Sequence, residues 1–436
     1  MSDSLDWSRL SWRHMLELEA CARCGECQTM CPVFEQDSRE GVLPRGKARG
    51  YKSLLHGENS LLRLLRRRPS DDEVQGLVSD LYECSVCGQC REVCPVEIDT
   101  VELWEALRAA TVAADKGPLP AHQALYQSIQ NNDNPWQQPR TSRDRWATRA
   151  AKGKSAEIEP VANIAERTAE VLYFVGCTAA FDMNIKQVAV NTVRVLQAAE
   201  VDFAILGQEE HCCCSVMLRV GLRDQFGERA QAHIEQLNSL GIRTLVTSCA
   251  GCFKTIAQDY PRIAPLDFEV LHISQFMLRL MEEGRLTLEG EVPLSVTYHD
   301  PCHLGRHRGV YDAPREVLAR VPGVQLVEMA RNRERARCCG AGGGLKAGFP
   351  DVQDRISQSR VQEAEATGAE ALVSSCPFCY QGLQVGINSS GSALRMMDLT
   401  EVVSAALQKG TQEAVSPPPA PGADAVPAEQ DEPVTA

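Results

Sequence analysis

The chain has 436 residues, 45 Lys and Arg against 58 Asp and Glu, a net charge of −13 and 44% hydrophobic residues. At roughly 150 residues per domain this length accommodates about three domains, each able to bury a core without disulfides. The acidic balance excludes a nucleic-acid partner, which needs a field of Lys and Arg to displace counterions. No run of about 18 apolar residues occurs, so no membrane span is expected, and a start carrying Asp3, Asp6 and Trp7 reads as no signal peptide.

Cysteine usage sets the class. The chain carries 19 cysteines, an odd number in tight clusters, which points to metal rather than a disulfide framework. Two runs follow C-x2-C-x2-C-x3-C-P: Cys21, Cys24, Cys27 and Cys31 before Pro32, then Cys84, Cys87, Cys90 and Cys94 before Pro95. This is the spacing of two-cluster ferredoxins, in which three close thiolates wrap three corners of a cubane and the fourth reaches the other cluster. The spacing predicts one [4Fe–4S] cubane on Cys21, Cys24, Cys27 and Cys94, and a second on Cys84, Cys87, Cys90 and Cys31. Zinc also takes four thiolates, but a four-cysteine run closed by Pro and present twice is not its pattern.

Between Cys31 and Cys84 lie 52 residues, more than a compact ferredoxin needs. Residues 54–65 and 72–81 read as helices there, joined at Pro69, which predicts an all-α ferredoxin domain over 1–112. Arg66, Arg67 and Arg68 read as a solvated helix end, with docking to a partner or a lipid headgroup as the alternative. Residues 113–170, rich in Gln, Asn, Pro and Arg, read as a linker that packs along the following domain.

From residue 171 short apolar runs alternate with amphipathic segments, the pattern of β-α units around a largely parallel sheet. Residues 171–175, 201–206, 244–247, 294–298, 324–327 and 371–374 read as strands, and 184–199, 224–240 and 352–366 as helices. Cys177, Cys249, Cys302 and Cys376 each fall just after a strand, at the edge where open α/β sheets bind ligands. TLVTSCAGCF at 244–253 aligns with ALVSSCPFCY at 371–380, 127 residues later. The cysteines repeat in step: Cys177, the pair Cys212 and Cys213, then Cys249 and Cys252; and Cys302, the pair Cys338 and Cys339, then Cys376 and Cys379. Two α/β units over 171–290 and 291–410 are expected. Five thiolates per copy exceed the four corners of one cubane, and the glycines Gly340 and Gly342 to Gly344 would let backbone approach closely.

This Cys…CC(G)…C-x2-C repeat resembles the cysteine-rich CCG domains of heterodisulfide reductase, and its fusion to a helical ferredoxin resembles that enzyme's D subunit. The resemblance implies a non-cubane [4Fe–4S] cluster on Cys177, Cys212, Cys213, Cys249 and Cys252 and another on Cys302, Cys338, Cys339, Cys376 and Cys379, with a disulfide split between them. One departure is Cys214, where the family usually has Gly: the ligand pair is Cys212 and Cys213, or Cys213 and Cys214, and the first register keeps SVMLRVG in place. Cys214 then reads as a small buried hydrophobe.

The function expected is an iron–sulfur oxidoreductase that passes single electrons through two cubanes to the paired clusters, reducing or forming a disulfide. His303, after Cys302, is the candidate proton donor, or alternatively an orienter of the ligand beside it. His299 and His211 read as structural or electrostatic, and Met217 with Leu218 and Arg219 as core and rim. The alternative function is a non-catalytic electron-transfer subunit of a membrane-linked dehydrogenase or larger reductase. No GxGxxG fingerprint follows a strand, so electrons come from outside: a membrane cytochrome b-type subunit is what the resemblance implies, a flavin-containing donor the alternative. The disulfide or thiol substrate is a small molecule or a protein. The expected location is cytoplasmic, or peripheral on the inner face of the membrane through a partner, and the Pro-, Ala- and acid-rich 411–436 reads as a disordered tail.

Overall fold

The computed structural model describes residues 5–59, 69–153 and 156–407. Arg66, Arg67, Arg68, the end of the helix expected over 54–65 and the 411–436 tail lie outside them. The N-terminal part is helical, with helices Trp12–Ala20, Pro32–Asp37, Pro44–Asn59, Asp71–Tyr82 and Thr100–Ala113. The helix expected from residue 54 in fact starts at Pro44. Its first turns, rich in Gly and Arg, hide a buried stripe of Ala48, Tyr51, Leu54 and Leu55, spaced as one helix face requires. Asp71–Tyr82 begins with a Ser70 and Glu73 capping box and buries Val74, Val78, Leu81 and Tyr82 along one side.

The stretch read as a linker contains helices Pro120–Asn132 and Arg145–Ala150. Polar composition conceals them because each buries few side chains, among them Ile129, Trp146 and Ala150. Further on, this stretch hydrogen-bonds Ile205: the Ile164 N–H donates to the Ile205 carbonyl at 2.8 Å, and the Ile205 N–H to Ala162 at 3.0 Å.

Two four-stranded sheets follow. The first comprises β1 (Val171–Tyr173), β2 (Phe203–Ala204), β3 (Thr244–Thr247) and β4 (Glu269–His272); the second comprises β5 (Leu294–His299), β6 (Val324–Leu326), β7 (Ala371–Ser374) and β8 (Arg395–Asp398). Their orders are β2-β1-β3-β4 and β6-β5-β7-β8, and every pairing is parallel. The inner strands VLY, TLVT and ALVS are buried throughout, as expected where helices cover both sheet faces. β1 ends at Tyr173, short of 175, where the chain turns toward Gly176 at φ 78°. The edge strands β4 and β8 carry no clear sequence signal because FEVLH and RMMD mix charged and apolar residues.

The copies pack reciprocally. Helix Gln187–Ala198 of the first lies against Leu399–Ala405 of the second, and Ile273–Glu282 of the first against Asp312–Ala319 of the second. Tyr173, Val246, Ile273 and Met277 join Val296, Tyr298, Val373 and Val403 in one apolar core. That shared core holds the carboxyl edges of the two sheets toward each other. In each sheet the chain leaves the central strand in one direction and returns on its other side, so β1 and β3, and likewise β5 and β7, flank a topological switch point. Cys177 and Cys249 follow β1 and β3; Cys302 and Cys376 follow β5 and β7.

Candidate metal centre

All 19 cysteines are free thiols, and all but Cys214 form three groups. Cys21, Cys24, Cys27 and Cys94 line one pocket, which Cys90 also touches. Cys31, Cys84, Cys87 and Cys90 line a second. The fourth cysteine of each run thus sits among the other run's first three. The two loops have the same backbone: Arg23 and Gly25 flank Cys24 at φ 55° and 93°, and Val86 and Gly88 flank Cys87 at 52° and 78°. A β-branched residue held left-handed is strained, and such strain persists where the surroundings demand it. Alternating hands of this kind turn successive N–H groups toward a common centre, an arrangement suited to anionic sulfur.

The third group is a chain of ten sulfurs. Cys177 adjoins Cys212, which meets Cys213; Cys213 lies 3.4 Å from Cys252, and Cys252 meets Cys249. In the second copy Cys302 adjoins Cys338, Cys338 meets Cys339, Cys339 lies 3.5 Å from Cys379, and Cys379 meets Cys376. The halves join where the Cys249 and Cys376 thiols come close to each other. Nine of the ten are buried and Cys249 is part-exposed.

Cys214 takes the place of Gly340. Both residues are left-handed, at φ 58° and 80°, and both donate a backbone N–H to the first cysteine of the pair, Cys214 to Cys212 Sγ at 3.4 Å and Gly340 to Cys338 Sγ at 3.3 Å. The equivalence aligns Cys212 with Cys338 and Cys213 with Cys339. Cys214 is buried and its thiol donates to the Cys212 carbonyl at 3.2 Å.

The ferredoxin part shares an apolar core with the first copy, and its second cysteine loop docks on the second copy. The Cys87 thiol adjoins Cys338, and Arg306 donates from Nε to the Cys87 carbonyl at 2.8 Å. Gly343, at φ 63°, lies so close that a Cβ there would stand 2.5 Å from Ser85 C and 2.8 Å from the Cys84 carbonyl oxygen. Only glycine permits that approach. Arg108, fully buried, ties the junction by donating to the carbonyls of Arg219 and Gly343 at 2.7 Å and of Cys84 at 2.8 Å.

His303 sits where the copies meet. A Cβ on Gly251 would lie 3.7 Å from both Cys249 Sγ and His303 Nδ1, so this glycine leaves space between the thiol and the imidazole. His303 Nε2 is buried without a hydrogen-bond partner, and burial pushes the ring well below the usual imidazole range. His307, four residues on in C-H-L-G-R-H, packs on it with ring centroids 4.7 Å apart. Sequence reasoning does not single out His307, for which the i, i+4 spacing is the available signal. His211 pairs with Asp133 at 3.2 Å. Met217 is core, but Arg219 is not rim: it is buried and bound to Glu105 at 2.8 Å and to Asp259. A guanidinium can be buried when two carboxylates surround it, which its helical position alone does not disclose. Arg143 and Glu210 form a second buried pair at 2.7 Å. Glu210 also accepts the N–H groups of Val175 and Gly176 at 2.9 Å, and Arg143 donates to Cys177 Sγ at 3.4 Å. A buried, disulfide-free set of soft sulfur donors met by N–H groups fits iron–sulfur clusters.

Known proteins share this architecture. The cysteine-rich domain family matches residues 171–257 and 296–384, and the 4Fe–4S dicluster domain family matches 17–98. The D subunit of dihydromethanophenazine:CoB–CoM heterodisulfide reductase from Methanosarcina barkeri is 37% identical, across 94% of this chain and 98% of its own length. The chain belongs to the family of the heterodisulfide reductase D subunit. The counterpart from Methanosarcina mazei is 38% identical over 93% of this chain and 97% of its own. EtfAB:quinone oxidoreductase of Syntrophomonas wolfei is 28% identical over 91% of this chain, which spans 59% of that longer protein. As a member of the heterodisulfide reductase family, the chain is an iron–sulfur oxidoreductase subunit. Among the described residues no helix is long and apolar enough to cross a membrane.

Proposed function

We propose that this protein reduces, or in reverse forms, a disulfide held between its two cysteine-rich copies. The observation that carries the reading is the contact of Cys249 with Cys376, which brings one five-cysteine set against the other. The reading assigns one cubane to Cys21, Cys24, Cys27 and Cys94, a second to Cys31, Cys84, Cys87 and Cys90, and a non-cubane cluster to each set of five, within a ferredoxin domain over 1–112 and repeats over 171–290 and 291–410. Bound there, the clusters would supply one-electron relay and an iron site for each sulfur of the disulfide.

The chain's own residues supply the rest. Disulfide reduction consumes two electrons and up to two protons, R–S–S–R + 2e⁻ + 2H⁺ giving two thiols. The part-exposed Cys249 and the side-chain-free Gly251 leave the approach to the pair open. His303 borders that approach and holds a proton beside it, while the buried walls exclude water. The contact of Cys87 with Cys338 supports electron delivery from the ferredoxin part to the second copy. Electrons arrive from a partner, a membrane cytochrome b-type protein or a flavin-containing donor, with the chain itself on the cytoplasmic side.

Iron and sulfide analysis of protein purified without oxygen tests the reading first, because four clusters of four irons predict about 16 iron per chain. The second measurement is the EPR spectrum with added thiols and disulfides, where a thiol-dependent change in one signal is expected. The quinone oxidoreductase relative, of which the chain spans 59%, favours a second reading, a relay without chemistry of its own. Indifference of every signal to thiols would select it.

A further inference from the structure

Outside the sulfur chain, one residue pair that differs between the copies lies under the second one. His299 ends β5, three residues before Cys302, and one of its ring nitrogens and the sulfurs of Cys339 and Cys379 all lie within 4.8 Å of one another. At the matching place in the first copy, three residues before Cys177, stands Phe174. Arg360, fully buried, donates from Nε to His299 Nδ1 at 3.2 Å. The residue matching Arg360 is His233, which packs on Phe174 with ring centroids 5.8 Å apart. The first copy therefore has an apolar ring where the second has an imidazole held by a guanidinium.

Arginine can only donate. A nitrogen that accepts from it carries no proton, so the proton of the neutral His299 ring is on Nε2. That atom is buried and has no hydrogen-bond partner, although an unpaired buried donor is costly. The acceptors beside the ring are the sulfurs of Cys339 and Cys379. A ring nitrogen that keeps its proton is a donor toward a cluster and not a ligand of iron. The first copy receives its N–H elsewhere, from Arg143 at Cys177 Sγ.

We propose that His299, with its tautomer set by Arg360, donates an N–H···S hydrogen bond to the cluster of the second copy and raises that cluster's reduction potential. The proposal rests on the reading that each copy holds a cluster. A donor at a ligand sulfur stabilises the more negative, reduced form, so its loss makes the couple harder to reduce. Arg360 is the positioning residue in this scheme, acting through His299, and the pair leaves the first copy's cluster untouched.

The test is a potentiometric EPR titration of the full chain purified without oxygen, with iron counted on each variant. His299→Phe, which copies the first repeat, should keep its iron and lower the reduced-to-oxidised ratio of one non-cubane couple about tenfold at fixed potential, a shift of ~59 mV. His299→Gln, which retains an N–H, should recover most of the shift. Arg360→Gln leaves the imidazole in place but frees its tautomer, and should move the same couple the same way by less, which keeps the inference testable where His299→Phe does not assemble. Unmoved couples in these variants would overturn it, as would loss of about four irons in both His299 variants, the mark of an iron ligand. Wild-type protein with only about eight irons would instead sink the underlying reading of clustered repeats.

Discussion

The two cysteine-rich copies share a sulfur frame and differ in what surrounds it. Both place a single cysteine after the first strand, an adjacent pair in a left-handed turn, and a C-x2-C after the third strand. The first copy braces its frame with the buried Arg143 and Glu210 pair, whereas Ala336 stands where Glu210 would be. The second copy instead meets the second cysteine loop of the ferredoxin part, through Cys87 on Cys338, Arg306 on the Cys87 carbonyl and Gly343 against Ser85. A repeated backbone path preserves ligand geometry, while the side chains that support and tune it are free to diverge once each copy has a different neighbour.

Removing the brace peculiar to the first copy should have the greatest consequence. Glu210→Ala strands the Arg143 charge in the interior and frees the Val175 and Gly176 N–H groups, at a cost of about 3–5 kcal/mol. Urea unfolding measures it; a loss below about 1 kcal/mol would mean that water replaces the carboxylate.

The carboxyl edges of β4 and β8 offer a second contrast, because the register places His272 in the first copy where Asp398 stands in the second. Burial pushes Asp398 up to about 8 and His272 down to about 4. Between about pH 4 and pH 8 the folded chain keeps a proton on Asp398 that the unfolded chain has lost. That contribution is full below pH ~4 and is lost as the pH rises through 8, with a slope of up to about 1.4 kcal/mol per pH unit. The His272 contribution runs the other way, gained between about pH 4 and 6.5. Asp398→Asn should therefore gain stability over wild type steadily from pH 5 to pH 8. Parallel denaturation midpoints across that range would show that Asp398 is ionised in the fold.

The mildest change concerns Cys214. Cys214→Gly gives the first copy the second copy's turn and relieves a left-handed non-glycine residue, worth roughly 1 kcal/mol. Iron content should not change, and loss of iron would move the ligand pair to Cys213 and Cys214.

Much of this is legible in sequence. The strands after which cysteines fall are short, continuously apolar and buried on both faces, so 244–247 and 371–374 read directly. The repeat register is legible too, because cysteine spacing survives where other residues drift. The helix from Pro44, the helices within 113–170 and the edge strands β4 and β8 are not, because their buried residues are sparse among polar ones. The burial of Arg219 is equally hidden, since it depends on Glu105 and Asp259, 114 and 40 residues away in the chain.

Residue order along the chain suffices for the kind of chemistry, since thiolate number and spacing are local properties that few folds and metals satisfy. Folding in three dimensions settles which groups meet: Cys249 with Cys376, Cys87 with Cys338, and Arg360 with His299. Those contacts join residues brought together by sheet edges and a shared core, and no local pattern along the chain encodes the distance between them.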